Sequence, residues 1–137
     1  MQTFITYLAL LLTGLLVQAQ NTIVVNIDGF SSNDGSAMVA IYNSENNFLE
    51  KRYKGELSKI NDYKVSLSFD EIPDGTYAIS VVHDEDNNGK LNMFMGFYPS
   101  EDTGSSNNAP ARFGPPKWED AKFEVKNGAI ITQNINL

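Results

Sequence analysis

Apolar residues fall on every second position through several short stretches of this chain, and no long amphipathic helix separates them. Ile23, Val25 and Ile27 share one side of Thr22 to Asp28, and the β-branched residues there predict a first strand. Gly29 to Gly35 is a Ser/Asn/Asp/Gly loop. After it, Ala37, Val39 and Ile41 interleave with Met38, Ala40 and Tyr42, which predicts a second strand covered on both faces. Asn43 to Asn47 breaks that strand, Phe48-Leu49 suits one helical turn, and Lys51 to Ser58 predicts a polar edge strand whose cations discourage edge-to-edge pairing. Tyr63, Val65, Leu67 and Phe69 alternate with Lys64, Ser66 and Ser68, so one face is core and the other is wet.

Ile72-Pro73-Asp74-Gly75-Thr76-Tyr77 is a turn in which Pro fixes φ and Gly admits positive φ, and it leads into a strand from Tyr77 to His83. Tyr77 at the mouth of that strand fits two roles, a tyrosine corner bonded back to the turn backbone or an ordinary core tyrosine. Lys90 to Phe94 predicts a short strand. Met95 to Lys117 has no period, yet Phe97, Tyr98 and Phe113 give it aromatic weight, with Trp118 just beyond, so it is expected to pack as one long ordered loop. Lys122 to Lys126 and Ala129 to Leu137 flank Asn127-Gly128, which predicts a type I′ hairpin closing the domain. Together these elements predict an all-β fold: a single Greek-key β-sandwich, immunoglobulin-like or transthyretin-like, with about seven strands.

The chain of 137 residues has the length of one domain plus a leader. Leu8 to Val17 is almost wholly apolar and Val17-Gln18-Ala19 suits signal peptidase, so residues 1–19 are read as a signal peptide and 20–137 as the mature domain. Phe4 to Ala19 falls short of the roughly 20 apolar residues that cross a bilayer, so no membrane span is expected in the mature chain. The expected location is periplasmic or extracellular. The chain has no cysteine, which excludes a disulfide, a lipid-anchored cysteine and a thiol nucleophile. The leader carries no charged side chain, so the net charge of −7 belongs to the mature domain and argues against nucleic acid as a partner.

Chemistry concentrates in His83 to Leu91. An EF-hand loop takes ligands at its first, third, fifth, seventh, ninth and twelfth positions, with Gly at the sixth. Counted from Asp84, these fall on Asp84, Asp86, Asn88, the Lys90 carbonyl, Asn92 and Met95, with Gly89 at the turn. Met95 cannot supply the bidentate carboxylate. The expectation is therefore a weak calcium loop on a β scaffold, binding on the order of 10⁻⁴ to 10⁻³ M, completed by Glu101, Asp102, Glu119 or Asp120. The competing reading makes Asn88-Gly89 a hairpin turn among solvated acids.

His83, the only histidine, shares a face with Tyr77, Ile79 and Val81, which suits a hydrogen-bonded residue at the rim of the core better than a catalyst. No activating motif surrounds Ser105 or Ser106, so a hydrolase is the least favoured class and a non-enzymatic role is expected. One histidine and no cysteine also count against zinc. Asn107 to Pro116 is the second distinctive run. It reads either as a loop tethered by Arg112 to a carboxylate near the Asp84 site, or as part of a surface on which Trp118, Phe113 and Tyr98 stack on a carbohydrate or peptide, with His83, Asn107 and Asn108 as further ligand-binding candidates. A carbohydrate or a cell-envelope protein is the partner such a surface implies.

His83 to Asn92, and Ser106 to Pro116 with its Ser-Asn-Asn-Ala-x-x-Arg-Phe-Gly-Pro-Pro pattern, together resemble the uncharacterised secreted bacterial family known as domain of unknown function 2141. The likeness extends through Phe69 to Val82 and Trp118-Glu119-Asp120-Ala121. The chain departs from the family pattern at Asp86, Asn92 and Ser105, and Asn92 stands where the family usually has Asp. The resemblance implies export and a β fold; it implies no activity.

Overall fold

In this computed structural model the described residues are 20–87, 93–94, 98–99 and 102–137. Residues 1–19, read from the sequence as a signal peptide, lie outside them. Among the described residues the strands in chain order are β1 (Asn21–Asp28), β2 (Ser36–Tyr42), β3 (Lys54–Lys59), β4 (Val65–Ile72), β5 (Gly75–Asp84), β6 (Met93–Phe94), β7 (Tyr98–Pro99), β8 (Thr103–Ser105), β9 (Phe123–Val125) and β10 (Ile130–Asn136). Among the same residues a 3₁₀ turn, Ser106–Asn108, and a short helix, α1 (Trp118–Ala121), interrupt them.

Two sheets form the sandwich. One has the order β10-β1-β4, and the other β3-β2-β5-β8 with β9 also paired to β5. Alternation decides what lies between them: Ile23, Val25 and Ile27 of β1, Ala37, Val39 and Ile41 of β2, Val65 and Phe69 of β4, and Tyr77, Ile79 and Val81 of β5 form one buried cluster. Each fully buried aliphatic side chain there contributes about 1.5–3 kcal/mol against an exposed reference. A second, smaller cluster of Tyr42, Ala78, Trp118 and Ala121 covers the other face of β2 and β5, with Phe48 packed against it. The double covering expected of β2 is therefore real, and the turn through Phe48 and helix α1 supply the outer layer.

Several expectations hold. β3 is an edge strand of mostly exposed residues. Tyr77 Oη donates to the Pro73 carbonyl at 2.6 Å, which makes it a tyrosine corner. The expected strand through Tyr63 is shorter: Tyr63 has φ 60° and is exposed, so the alternation is structural only from Val65.

Two corrections concern topology. Asn127 and Gly128 do take positive φ, at 63° and 68°, and the Ala129 N–H donates to the Lys126 carbonyl at 3.3 Å. Yet β9 pairs with β5 while β10 pairs in parallel with β1, so the turn carries the chain from one sheet to the other and closes no hairpin. The stretch read as one long loop contains β8, which adds to the β5 edge with Val82 opposite Thr103 and Ser80 opposite Ser105. Gly104 lets β8 also pack closely on the Ile135 and Leu137 side chains, which a Cβ there would displace.

Candidate functional site

Strand β5 carries its core face to its last turn, and His83 is the final member of that face. The side chain is fully buried. The Gly29 to Gly35 loop closes over it from one side. Phe30 meets the imidazole edge-on at 5.2 Å between ring centroids. The ring also makes a 2.8 Å hydrogen bond through Nε2 to the backbone carbonyl of Asp34. A carbonyl can only accept, so Nε2 carries the proton. Gly35 has φ +71° and its α-carbon packs on the β5 backbone so closely that any Cβ would overlap the Asp84 carbonyl. Only glycine lets this loop lie there.

From the other side comes the segment that leads into β8. The His83 N–H donates to the Asp102 carbonyl at 2.9 Å, continuing the β5–β8 pairing by one residue. That pairing brings the Asp102 carboxylate to the imidazole. One ligand atom each from His83, Glu85 and Asp102 lie within 4.8 Å of one another, with the histidine buried and both carboxylates open to solvent. Glu85 Oε1 is held by a 3.0 Å hydrogen bond from Ser31 Oγ. It stands 3.6 Å from His83 Nδ1, within ion-pair range and too long for a hydrogen bond. Among the described residues His83 Nδ1 is the one buried side-chain polar atom with no hydrogen-bond partner. Buried polar atoms are nearly always satisfied, so this nitrogen calls for a physical explanation.

The sequence-predicted residues fare unevenly against this geometry. Asp84 is buried and Asp86 exposed at the end of β5, and both are engaged in interactions of their own. Asn88, Lys90 and Asn92 lie outside the described residues. Of the four acids proposed to complete a cation site, Glu101 lies outside the described residues, Glu119 and Asp120 sit in α1, where Glu119 pairs with Lys122 at 2.8 Å, and Asp102 is the one grouped with the imidazole. The Asn107 to Pro116 run does not make the junction. Asn107 donates through Nδ2 to the Asp120 and Lys122 carbonyls and exchanges hydrogen bonds with Gln133, while Asn108 is bonded to Asn134 and Asn136. These bonds seat the 3₁₀ turn on β10 and α1. Arg112 is exposed and forms no ion pair among the described residues.

The aromatic surface is likewise dispersed. Trp118 is 9% exposed and packs with Phe48 at 5.7 Å between ring centroids, so it belongs to the second core cluster and offers no free face for stacking. Phe113 is fully exposed with φ 61°. Tyr98 contributes its backbone to β7, and its side chain is outside the description. A serine–histidine pair is not assembled: Ser105 lies opposite Ser80, three residues or about 10 Å along the strand from His83. Ser106 Oγ is occupied, accepting from the Ile79 N–H at 2.9 Å and donating to the Ala121 carbonyl at 2.6 Å. A separate concavity of about 520 Å³, lined by Asn26, Asp28, Lys59, Lys64, Asn134 and Asn136 among others, contains none of the predicted site residues.

The sequence reading missed the Gly29 to Gly35 loop and Glu85 as parts of this site. Glu85 was visible as the next residue of His83 parity. The contribution of Asp34 is a backbone carbonyl, for which no side-chain signal exists.

The two motifs and the sandwich that carries them define the class. The model of the family described as "uncharacterized protein conserved in bacteria (DUF2141)" matches residues 25–133, and the chain belongs to that family. Comparison with curated proteins and with solved structures gives no match.

Proposed function

We propose that this chain is an exported, non-catalytic β-sandwich domain that holds a divalent cation where the end of β5 meets the segment entering β8, with a binding or structural role at the cell envelope. One observation carries the reading: a fully buried imidazole nitrogen without a hydrogen-bond partner, with Glu85 Oε1 3.6 Å from it and an Asp102 carboxylate oxygen within 4.8 Å of both the Glu85 carboxylate and the imidazole. A cation there would satisfy the nitrogen and offset the repulsion between two acids. It would also tie the Asp102 end of β8 to β5, adding a crosslink to a chain that has no cysteine. The apolar stretch Leu8 to Val17 supports export. No helix among the described residues is long and apolar enough to cross a membrane.

Carbohydrate or peptide binding has less support, because the ring best suited to stacking, Trp118, is packed inside. The test of the leading reading is a thermal melt of chelator-treated protein with millimolar calcium and, separately, with zinc. A cation bound only by the folded state stabilises by about 2.7 kcal/mol at a hundredfold excess over its dissociation constant. At least one of the two must raise the midpoint, and two unchanged melts would sink the proposal.

A further inference from the structure

We infer that the His83, Glu85 and Asp102 site takes a borderline divalent metal of the zinc type, bound directly through His83 Nδ1, and does not select calcium. This rests on the cation-binding reading above. The bond from Nε2 to the Asp34 carbonyl fixes the ring tautomer. With the proton on Nε2, a neutral imidazole turns its lone pair out through Nδ1. Histidines that ligate metals characteristically donate their other N–H to a carbonyl or carboxylate in this way, which fixes the ring and raises the basicity of the ligating nitrogen. Here the ring is fixed twice, by that bond and by the edge-on contact with Phe30.

Nδ1 faces Glu85 Oε1 at 3.6 Å. For a neutral ring, both atoms present lone pairs to each other in a site where the nitrogen is sealed from water. Only a proton or a metal ion between them makes that arrangement favourable. Metal–ligand bonds of about 2.0–2.2 Å in a tetrahedron set neighbouring ligand atoms roughly 3.4 Å apart, close to the observed separation. Both carboxylates reach solvent, so small side-chain rotations would bring an oxygen of each onto the ion, and water would supply a fourth ligand.

The donor set decides the class of metal. Calcium takes six to eight oxygen ligands and does not use imidazole nitrogen. One imidazole and two carboxylates instead match zinc and its neighbours. The count of one histidine and no cysteine that spoke against zinc in the sequence left out two acids, Glu85 two residues further along and Asp102, which strand pairing brings to the ring.

Because His83 is the only histidine, its ring gives a single set of nitrogen resonances in the chain expressed without a histidine tag. ¹⁵N NMR of metal-free protein, followed by one equivalent of zinc chloride or excess calcium chloride in separate samples, reads the ligand directly. Zinc is expected to move Nδ1 to a metal-bound shift while Nε2 stays protonated, and calcium to leave both in place. Glu85→Gln and Asp102→Asn change exposed side chains and are expected to keep the fold while weakening zinc binding by roughly tenfold or more in calorimetry. An Nδ1 that zinc does not move, or that holds a proton shared with Glu85 whether or not zinc is present, overturns the inference. So does zinc affinity unchanged in both variants. Stabilisation by calcium alone overturns the metal class while leaving the cation reading intact, and no response to either metal removes both.

Discussion

His83 Nε2 and the Asp34 carbonyl lie 2.8 Å apart, a bond between the last core position of β5 and a loop 49 residues earlier in the chain. It fixes which nitrogen of the only histidine carries the proton. It also depends on Gly35, since the loop reaches the ring only by lying against the Asp84 backbone. Gly35→Ala is therefore expected to destabilise the domain by about 1–3 kcal/mol, through strain at positive φ and displacement of the loop. Urea unfolding measures the loss. The same variant should respond less to added zinc, which separates damage to the site from damage to the fold alone.

Tyr77 joins the Pro73 turn to the core. Tyr77→Phe removes the 2.6 Å bond to the Pro73 carbonyl and should cost about 0.5–1.5 kcal/mol near neutral pH. Burial first, then the nearby Tyr53 and Asp74, raises the Tyr77 pKa above its ordinary value of 10.0. Folding thus favours the neutral phenol. Its contribution to stability is fully present below the unfolded pKa and is lost as pH climbs from there through the raised folded pKa. Denaturant melts at about pH 8 and about pH 11 should show the wild type losing more stability than Tyr77→Phe across that interval. Equal losses would contradict the assignment.

Ser106 is a structural residue. Its hydroxyl links the Ile79 N–H of β5 to the Ala121 carbonyl of α1 with no exposure to solvent. Ser106→Ala strands both groups and should cost about 1–3 kcal/mol in equilibrium unfolding. An effect within experimental error would return the hydroxyl to the list of reactive candidates.

Trp118 and Phe113 should part company in the same assay. Truncating the buried Trp118 to Ala opens a cavity against Phe48 and Tyr42 and is expected to cost about 3–5 kcal/mol. Phe113→Ala, at a fully exposed ring, should stay within about 0.5 kcal/mol of wild type. A destabilisation by Phe113→Ala comparable to that of Trp118→Ala would show that the loop ring is packed in solution.

Alternation made most of the sandwich legible. The parity of Ile23, Val25 and Ile27, and of Tyr77, Ile79, Val81 and His83, named both central strands of the core and put the histidine on the buried side. The spacing of Pro73, Gly75 and Tyr77 raised a tyrosine corner beside an ordinary core tyrosine, and the bond from Tyr77 Oη to the Pro73 carbonyl decides for the corner. What stayed hidden was long-range pairing. Thr103–Ser105 has no strand pattern of its own, since a three-residue stretch containing Gly has almost no local preference for a sheet and forms one only because the β5 edge is there to receive it. Asn127-Gly128 gave its turn conformation correctly, but local residues do not say that β10 will lie parallel to β1. The site suffered for the same reason. Spacing within His83 to Leu91 drew attention to Asp84 and Asp86, whereas the carboxylates grouped with the imidazole are Glu85, two residues on, and Asp102, one of four acids the sequence offered, which the segment entering β8 delivers.

The most direct test of the cation site is anomalous diffraction, above and below the zinc edge, from crystals of the chain grown with zinc and without a histidine tag. The predicted result is one strong peak about 2.0–2.1 Å from His83 Nδ1, with Glu85 and Asp102 oxygens at similar distances. A peak elsewhere on the acidic surface, or an Nδ1 that hydrogen-bonds Glu85 with no metal beside it, would contradict the account.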